Sequence, residues 1–400
     1  MFLRRLVSRN PDLPIAAGRL HQAGRLHANT YLLDMETMAA NARLLGAAAD
    51  ANQLAVYFMA KQFGRNPDAC RAVVDAGLPS AVCVDLQDMQ AHRRNAIPIG
   101  HVGHLVQPHR GSEPAVVASV PEVVTLFSIE AARRLSVSAI AAGKQQAVLL
   151  RVHAPGDSFY FGHGGGFPLD EVEGATRAVD RLGGLEVVGV TSFPCLLANS
   201  TTRTIEPTPN LTTIVEAARR LRAAGYAITQ VNAPGTTSAG TLETLARVGA
   251  THVEPGNALH GTSPIHVFDP DNAPELPAIV YVSEVSHVDG DDAYVFAAGY
   301  YADEVLGAYR LRALVGRDDS LLERMVDVDV APPGAIHYYA IIRAARAHDV
   351  RVGDTVVFCF RPQTFVTRAR TQAVAGIHRG SEPELRAAYD QEARPIDEVI

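Results

Sequence analysis

Lys61 closes the apolar run Leu54-Ala55-Val56-Tyr57-Phe58-Met59-Ala60, in a chain where all but Lys61 and Lys144 of the 36 basic residues are arginine. An amine at the rim of a buried strand is desolvated, which lowers its pKa and makes it a nucleophile toward an aldehyde; arginine cannot do this chemistry. The competing reading of Lys61 is a strand-end lysine that reaches back to water along its stem. Lys144 follows Gly143 in a polar loop and reads as a solvated surface amine.

Two later segments carry complementary groups. In Val231-Asn232-Ala233-Pro234-Gly235-Thr236-Thr237-Ser238, hydroxyls precede an expected helix near Gly240. Hydroxyls and free N–H groups at a helix start suit a phosphate, although Thr/Ser before a helix is also an ordinary N-cap. In His252-Val253-Glu254-Pro255-Gly256-Asn257-Ala258, a strand-end carboxylate precedes a glycine turn. Gly256 lets backbone amides approach a phosphate, and an inward Glu254 beside a pyridine nitrogen would keep that nitrogen protonated. Read alone, Glu254 is equally a surface acid.

Such groups need elements that bring strand ends together. Asn29 to about Ala258 alternates β-branched apolar runs with amphipathic stretches such as Met35–Ala49 and Leu211–Ala224, the rhythm of βα units on a parallel sheet. The expected strands are Thr30–Leu33, Leu54–Met59, Ala81–Val84, Val102–Val106, Val123–Phe127, Ala147–Val152, Glu186–Thr191, Ile228–Asn232 and His252–Glu254. The fold class is therefore α/β, a (β/α)8 TIM-like barrel with a second, mostly β C-terminal domain, and active sites in such barrels lie at the carboxyl ends of the strands. The Pro-rich stretch Asp269–Pro277 reads as a linker, followed by β segments at Ala278–Val285, Ala293–Ala297, Ile336–Ile342 and Asp354–Phe360. The expected division is a helical extension over 1–28, the barrel over 29–268, the β domain over 269–385 and a tail over 386–400, with a last helix within Ser381–Ile400.

Composition removes several alternatives. A hydrophobic fraction of 47% leaves ample core for two domains, and a net charge of −7 with scattered arginines gives no basic face for nucleic acid. Without an apolar run of about 18 residues or a secretory leader, a cytoplasmic protein is expected. Cys70, Cys83, Cys195 and Cys359 form no C-x-x-C pair, so neither disulfides nor a thiolate metal site is expected.

The order of these elements, lysine at an early strand end, a hydroxyl-rich loop after a late one, then Val-Glu-Pro-Gly, resembles the fold-type-III pyridoxal-phosphate enzymes, which include alanine racemase and the ornithine and diaminopimelate decarboxylases. More closely, the segments Tyr57–Pro67, Val190–Cys195, Glu206–Leu211, Val282–His287 and Phe360–Arg368 resemble the YhfX-like branch of predicted amino-acid racemases, along almost the whole chain. The resemblance implies pyridoxal 5'-phosphate as cofactor and Lys61 as its aldimine lysine. Thr236, Thr237, Ser238, Gly256 and Asn257 would surround the phosphate, Phe193 would pack on the ring where the wider family has a histidine, and Glu254 would meet the ring nitrogen where alanine racemase has arginine. It further implies a homodimer with shared active sites, in which Tyr301 of the partner subunit, or Tyr300, is the second base for racemisation of a small amino acid or amine. His104, Gln107, His153, His163 and Arg361 are candidates to line the pocket. A decarboxylase or lyase of the same fold, favoured by Glu254, and a noncatalytic pyridoxal-phosphate-binding homeostasis protein are the alternatives. The decarboxylases' acidic Cys-Asp-Ser type segment is absent from the second domain, and a mere carrier would not need that domain.

Overall fold

The computed structural model of the protein describes residues 1–301, 311–317, 319–332, 336–378, 380 and 382–396. The chain divides into two compact units, one built from 43–59 and 77–256, the other from 1–42, 60–76 and 257–400.

The first unit holds the barrel. Strands Ala55–Met59, Ser80–Cys83, Ile99–Val102, Val123–Leu126, Gln146–His153, Leu185–Thr191, Gln230–Asn232 and His252–Val253 pair in that order, each parallel to the next, and the last pairs with the first to close the ring. Because every strand runs the same way, all carboxyl ends and the loops that follow them gather at one end. Tyr57, Met59, Val82, Val84, Val123 and Leu149 pack as one apolar cluster. Outer helices start at side-chain caps that take up otherwise unpaired amides: Asp85 accepts from Asp88 N at 2.8 Å and Ser128 from Ala131 N at 3.2 Å.

The other unit is a mostly β domain. Its main sheet runs Met325–Val328, Leu311–Gly316, Thr355–Phe358, Ile279–Asp289, Thr30–Asp34, Arg370–Ala375, Glu384–Tyr389. Helices Phe2–Arg9 and Asp12–Gln22 lay Leu6, Leu13 and Leu20 against Leu32, Val282, Leu314, Val357 and Val374 of that sheet. Among the described residues no helix is long and apolar enough to cross a membrane.

Two expectations about elements are corrected here. Thr30–Leu33 is not a barrel strand: it lies inside the second sheet, antiparallel to Ile279–Val282 and parallel to Arg370–Val374. All five residues of Thr30–Asp34 are buried, and a strand covered on both faces has the same continuous apolar signature in either setting. The helix expected within Ser381–Ile400 is instead the edge strand Glu384–Tyr389, antiparallel to Arg370–Ala375, so pairing with an existing edge overrides the local helical preference of Leu-Arg-Ala-Ala. Residues 397–400 of that tail lie outside the described residues.

One buried acid ties the β domain together. Asp34 is fully buried and accepts from Asn10 Nδ2 at 2.9 Å, Thr37 N at 3.1 Å, the Thr37 hydroxyl at 2.5 Å and His378 Nε2 at 2.9 Å, while His378 Nδ1 reaches Asp12 at 3.0 Å. Burial alone would raise the Asp34 carboxyl, but bonds from His378, Thr37 and Asn10 hold it below the ordinary value. His378 is pushed up to about 9, chiefly by its bond to Asp34. Asp34→Ala should therefore lower the unfolding free energy in urea by about 3 kcal/mol, since it strands several buried donors. A histidine raised from 6.5 to about 9 stabilises fully below pH 6.5 and loses that contribution as pH rises through 9. Melting temperatures should show this alkaline decline in the native protein, and His378→Asn should flatten it.

Candidate active site at the carboxyl ends of the barrel strands

The barrel's parallel strands end in polar residues that face one another in its interior. Glu254 follows strand His252–Val253, and its side chain is fully buried. Its Oε1 accepts from Asn232 Nδ2 at 2.9 Å and meets His101 Nδ1 at 2.6 Å. His101 Nε2 lies 2.5 Å from Thr125 Oγ1, and Asn232 Nδ2 also reaches Thr191 Oγ1 at 3.2 Å. Thr125, His101, Glu254, Asn232 and Thr191 thus form a hydrogen-bonded belt contributed by five strand ends. A surface role for Glu254 is excluded by its burial.

The second oxygen is different. His104 Nδ1 stands 2.9 Å from Glu254 Oε2, yet off the direction a hydrogen bond needs, so Oε2 and both His104 nitrogens stay buried without a hydrogen-bond partner. Burial pushes the Glu254 carboxyl up, but the electrostatic effect of the adjoining His104 and His101 and the hydrogen bond with His101 outweigh it and hold the group well below the usual carboxylate range. Burial also lowers His104, against the pull of Glu254, and it pulls His252 down to about 4. An ionised carboxylate with one open lone-pair edge can meet a protonated ring nitrogen. The ligand atoms of His101, His104 and Glu254 lie within 4.8 Å of one another, which also suits a cation, although the 2.6 Å contact is that of a hydrogen bond.

The hydroxyl-rich loop sits one strand away. Ser238 caps the turn Ala239–Thr241 through a reciprocal capping box with Thr241. Thr236 N donates to Leu196 O at 3.2 Å, Thr237 N to Gly235 O at 2.9 Å and Ser238 N to Thr241 Oγ1 at 3.0 Å. A Cβ on Gly235 would come within 2.6 Å of Leu196 N, so only glycine lets this loop press against that backbone. These three amides are committed to the protein itself, whereas the buried Gly256 N–H donates to no described residue. Phe193 is half-buried among Tyr160 at 5.6 Å, His163 at 5.9 Å and the edge of His104 at 5.4 Å between ring centroids. Gln107 is spent on backbone, donating to Gly103 O and Thr125 O and accepting from Phe127 N.

Lys61, Asn257 and the tyrosines belong to the other unit. Lys61 follows the carboxyl end of strand Ala55–Met59 after one residue and opens the turn Lys61–Phe63; it is half-buried, with Nζ 5.2 Å above the Phe365 ring. The Thr364 hydroxyl fixes that turn by donating to Gln62 O at 2.7 Å. Asn257 opens the turn Asn257–His260 and keeps its buried Oδ1 without a partner. Tyr300 is buried against Phe360 and His337, and burial pushes its hydroxyl up to about 12, while Tyr301 is 44% exposed. Lys144 is exposed and donates to Val117 O. His101, Thr125, Thr191 and Asn232 escaped the sequence reading; their signal was a polar residue at or next to the last position of an apolar strand.

Residues 33–264 match the family model "Alanine racemase, N-terminal domain" and residues 280–385 match "YhfX-like, C-terminal domain". "Uncharacterized protein YhfX" of Escherichia coli (strain K12) is 35% identical over 390 residues, covering 98% of each chain. Among solved structures, D-threo-3-hydroxyaspartate dehydratase from Delftia sp. HT23 aligns with a TM-score of 0.66 at 18% identity, over 90% of this chain and 97% of that one. D-threonine aldolase from Filomicrobium marinum aligns with a TM-score of 0.67 at 15% identity, over 92% and 96%. Alanine racemase of Clostridium difficile 630 aligns with a TM-score of 0.65 at 14% identity, over 90% and 98%. At these identities the three structures speak for the fold alone; the family matches and the full-length relative show that the chain belongs to the alanine-racemase-like family, in its YhfX-like branch.

Proposed function

We propose that the protein is a pyridoxal-phosphate-dependent amino-acid racemase. The observation that carries this reading is Glu254 Oε2, an ionised and fully buried oxygen at a barrel strand end that has His104 beside it but, among the described residues, no hydrogen-bond partner. A buried charge is retained when something pairs with it, and a protonated pyridine nitrogen is such a partner. In this reading Lys61 would offer the amine that holds the cofactor, Phe193 a face for its ring, and the Gly256 N–H, Asn257 and the hydroxyls of Thr236, Thr237 and Ser238 donors for its phosphate. When bound, the cofactor supplies an electron sink that acidifies the α-proton of an amino acid.

The chain's own groups then move that proton. Lys61 Nζ takes it from one face and the hydroxyl of Tyr301 of the partner subunit delivers one to the other, so the base and the acid exchange states at each inversion. The exposure of Tyr301, against the burial of Tyr300, favours it as the residue offered to a partner. Glu254, held by His101 and Asn232, maintains the ring's positive charge throughout. The same arrangement would serve a lyase or decarboxylase, and the ionised Glu254 is what favours that second reading, because a carboxylate beside the ring nitrogen would strengthen the cofactor as an electron sink.

Two measurements separate these possibilities. Across a panel of L- and D-amino acids in deuterated water, at least one should exchange its α-proton with inversion; exchange with loss of carbon dioxide or ammonia selects the second reading, and no exchange refutes both. In Glu254→Gln the rate should fall by about 10² to 10⁴, the scale of losing one positioned electrostatic partner, whereas a wild-type rate removes Glu254 from the chemistry. Mixing Lys61→Ala and Tyr301→Phe chains should restore about a quarter of wild-type activity, because half the dimers are mixed and each holds one intact site. No recovery despite proven subunit exchange would mean that each site is made by a single chain.

A further inference from the structure

Strand Gln146–His153 carries Arg151, one of the largest fully buried side chains of the protein and 1% exposed. Its Nη2 donates to two backbone carbonyls, His163 O at 2.7 Å and Phe193 O at 3.3 Å. The guanidinium lies over the Phe127 ring at 4.9 Å and the Phe159 ring at 5.8 Å. Its Nε is buried without a partner, and Nη1 donates to no described residue.

Among the described residues no acid pairs with this positive charge. Asp157 is the nearby acid, but its Oδ2 accepts from Ala154 N at 2.9 Å and its Oδ1 from the Thr213 hydroxyl at 2.8 Å, and it makes no ion pair with Arg151. Burial keeps the neighbouring Cys195 thiol protonated and neutral. Burial lowers Arg151 itself to about 10, which still leaves it charged at neutral pH. Yet the surroundings are built to hold it. A Cβ on Gly166, at a φ of +111°, would lie 2.4 Å from Arg151 O and 2.9 Å from Arg151 Cγ, so glycine is required for that backbone to close against the arginine. A buried charge of this kind is retained where an anion completes it, and the planar guanidinium matches a carboxylate in shape.

We propose that Arg151 is an anion receptor inside the barrel unit, and that its ligand is a carboxylate of the substrate, bound by the uncommitted Nε and Nη1 donors. This deepens the reading of an amino-acid substrate and rests on it for the ligand's identity. The cofactor's phosphate is the other source of such an anion. The strand order argues against it: the loops assigned to the phosphate follow Gln230–Asn232 and His252–Val253, while Gln146–His153 lies on the other side of Leu185–Thr191, beside Val123–Leu126.

The test uses the full-length protein stripped of cofactor, so its result does not depend on Lys61 or on turnover. Melting temperature is followed against sodium acetate and, separately, inorganic phosphate, with ionic strength held constant by chloride, for wild type, Arg151→Lys and Arg151→Met. A ligand that binds only the folded state raises the melting temperature in a saturable way. Acetate should do so for wild type, with an affinity about tenfold weaker in Arg151→Lys, which keeps charge but loses the planar fork, and with no saturable shift in Arg151→Met. Equal acetate shifts in all three proteins, no shift in wild type, or a shift with phosphate alone would overturn the proposal. Should Arg151→Met fail to fold, the wild-type and Arg151→Lys titrations decide the matter on the same criteria.

Discussion

A negative charge kept at the dry end of a barrel strand is the constraint around which the catalytic unit is arranged. Glu254 stays ionised despite complete burial because His101 and Asn232 hydrogen-bond Oε1 and His104 stands beside Oε2. His101 and His104 lie on or just after Ile99–Val102 and Asn232 ends Gln230–Asn232, so the charge is held only when these strands stand with His252–Val253 in the closed ring. Closure in turn demands the parallel pairing that runs from Ala55–Met59 round to His252–Val253. Fold and chemistry are here one requirement: the sheet that buries the carboxylate also supplies the donors that make its burial tolerable.

The belt also limits what the carboxylate can do. With Oε1 doubly engaged, Oε2 is the oxygen with capacity for a ligand, and His104 beside it supplies no aligned hydrogen bond. A family member with arginine at this place would present a donor and leave a pyridine nitrogen unprotonated. The carboxylate presents an acceptor, and under the proposed function it would favour a protonated ring without any change of fold.

Much of this was legible in the sequence. Lys61 stood out by residue type at the end of an apolar run, and Glu254 by its place before Pro-Gly. Seven of the nine expected strands coincide with barrel strands, and an eighth, Val102–Val106, is displaced: the strand is Ile99–Val102 and shares only Val102 with it. The exception, Thr30–Asp34, shows why the ninth misled: periodicity reports burial on both faces but not which sheet provides it. The last segment misled in the opposite sense, since Leu-Arg-Ala-Ala has helical propensity and only the available edge of Arg370–Ala375 makes it a strand. His101, Thr125 and Asn232 were illegible because a single polar residue inside an apolar strand looks the same whether it faces a helix or the barrel interior. Arg151 was hidden in a chain so rich in arginine that one more carries no signal, and only its burial without an acid sets it apart.

Lys61 is the residue proposed to hold the cofactor, and the most direct measurement of that is chemical. Protein purified with pyridoxal 5'-phosphate should be reduced with borohydride, digested and mapped by mass spectrometry. The account predicts the reduced cofactor on the peptide carrying Lys61 and none on the peptide carrying Lys144. A label on Lys144, or no label from protein that retains the cofactor, would contradict it.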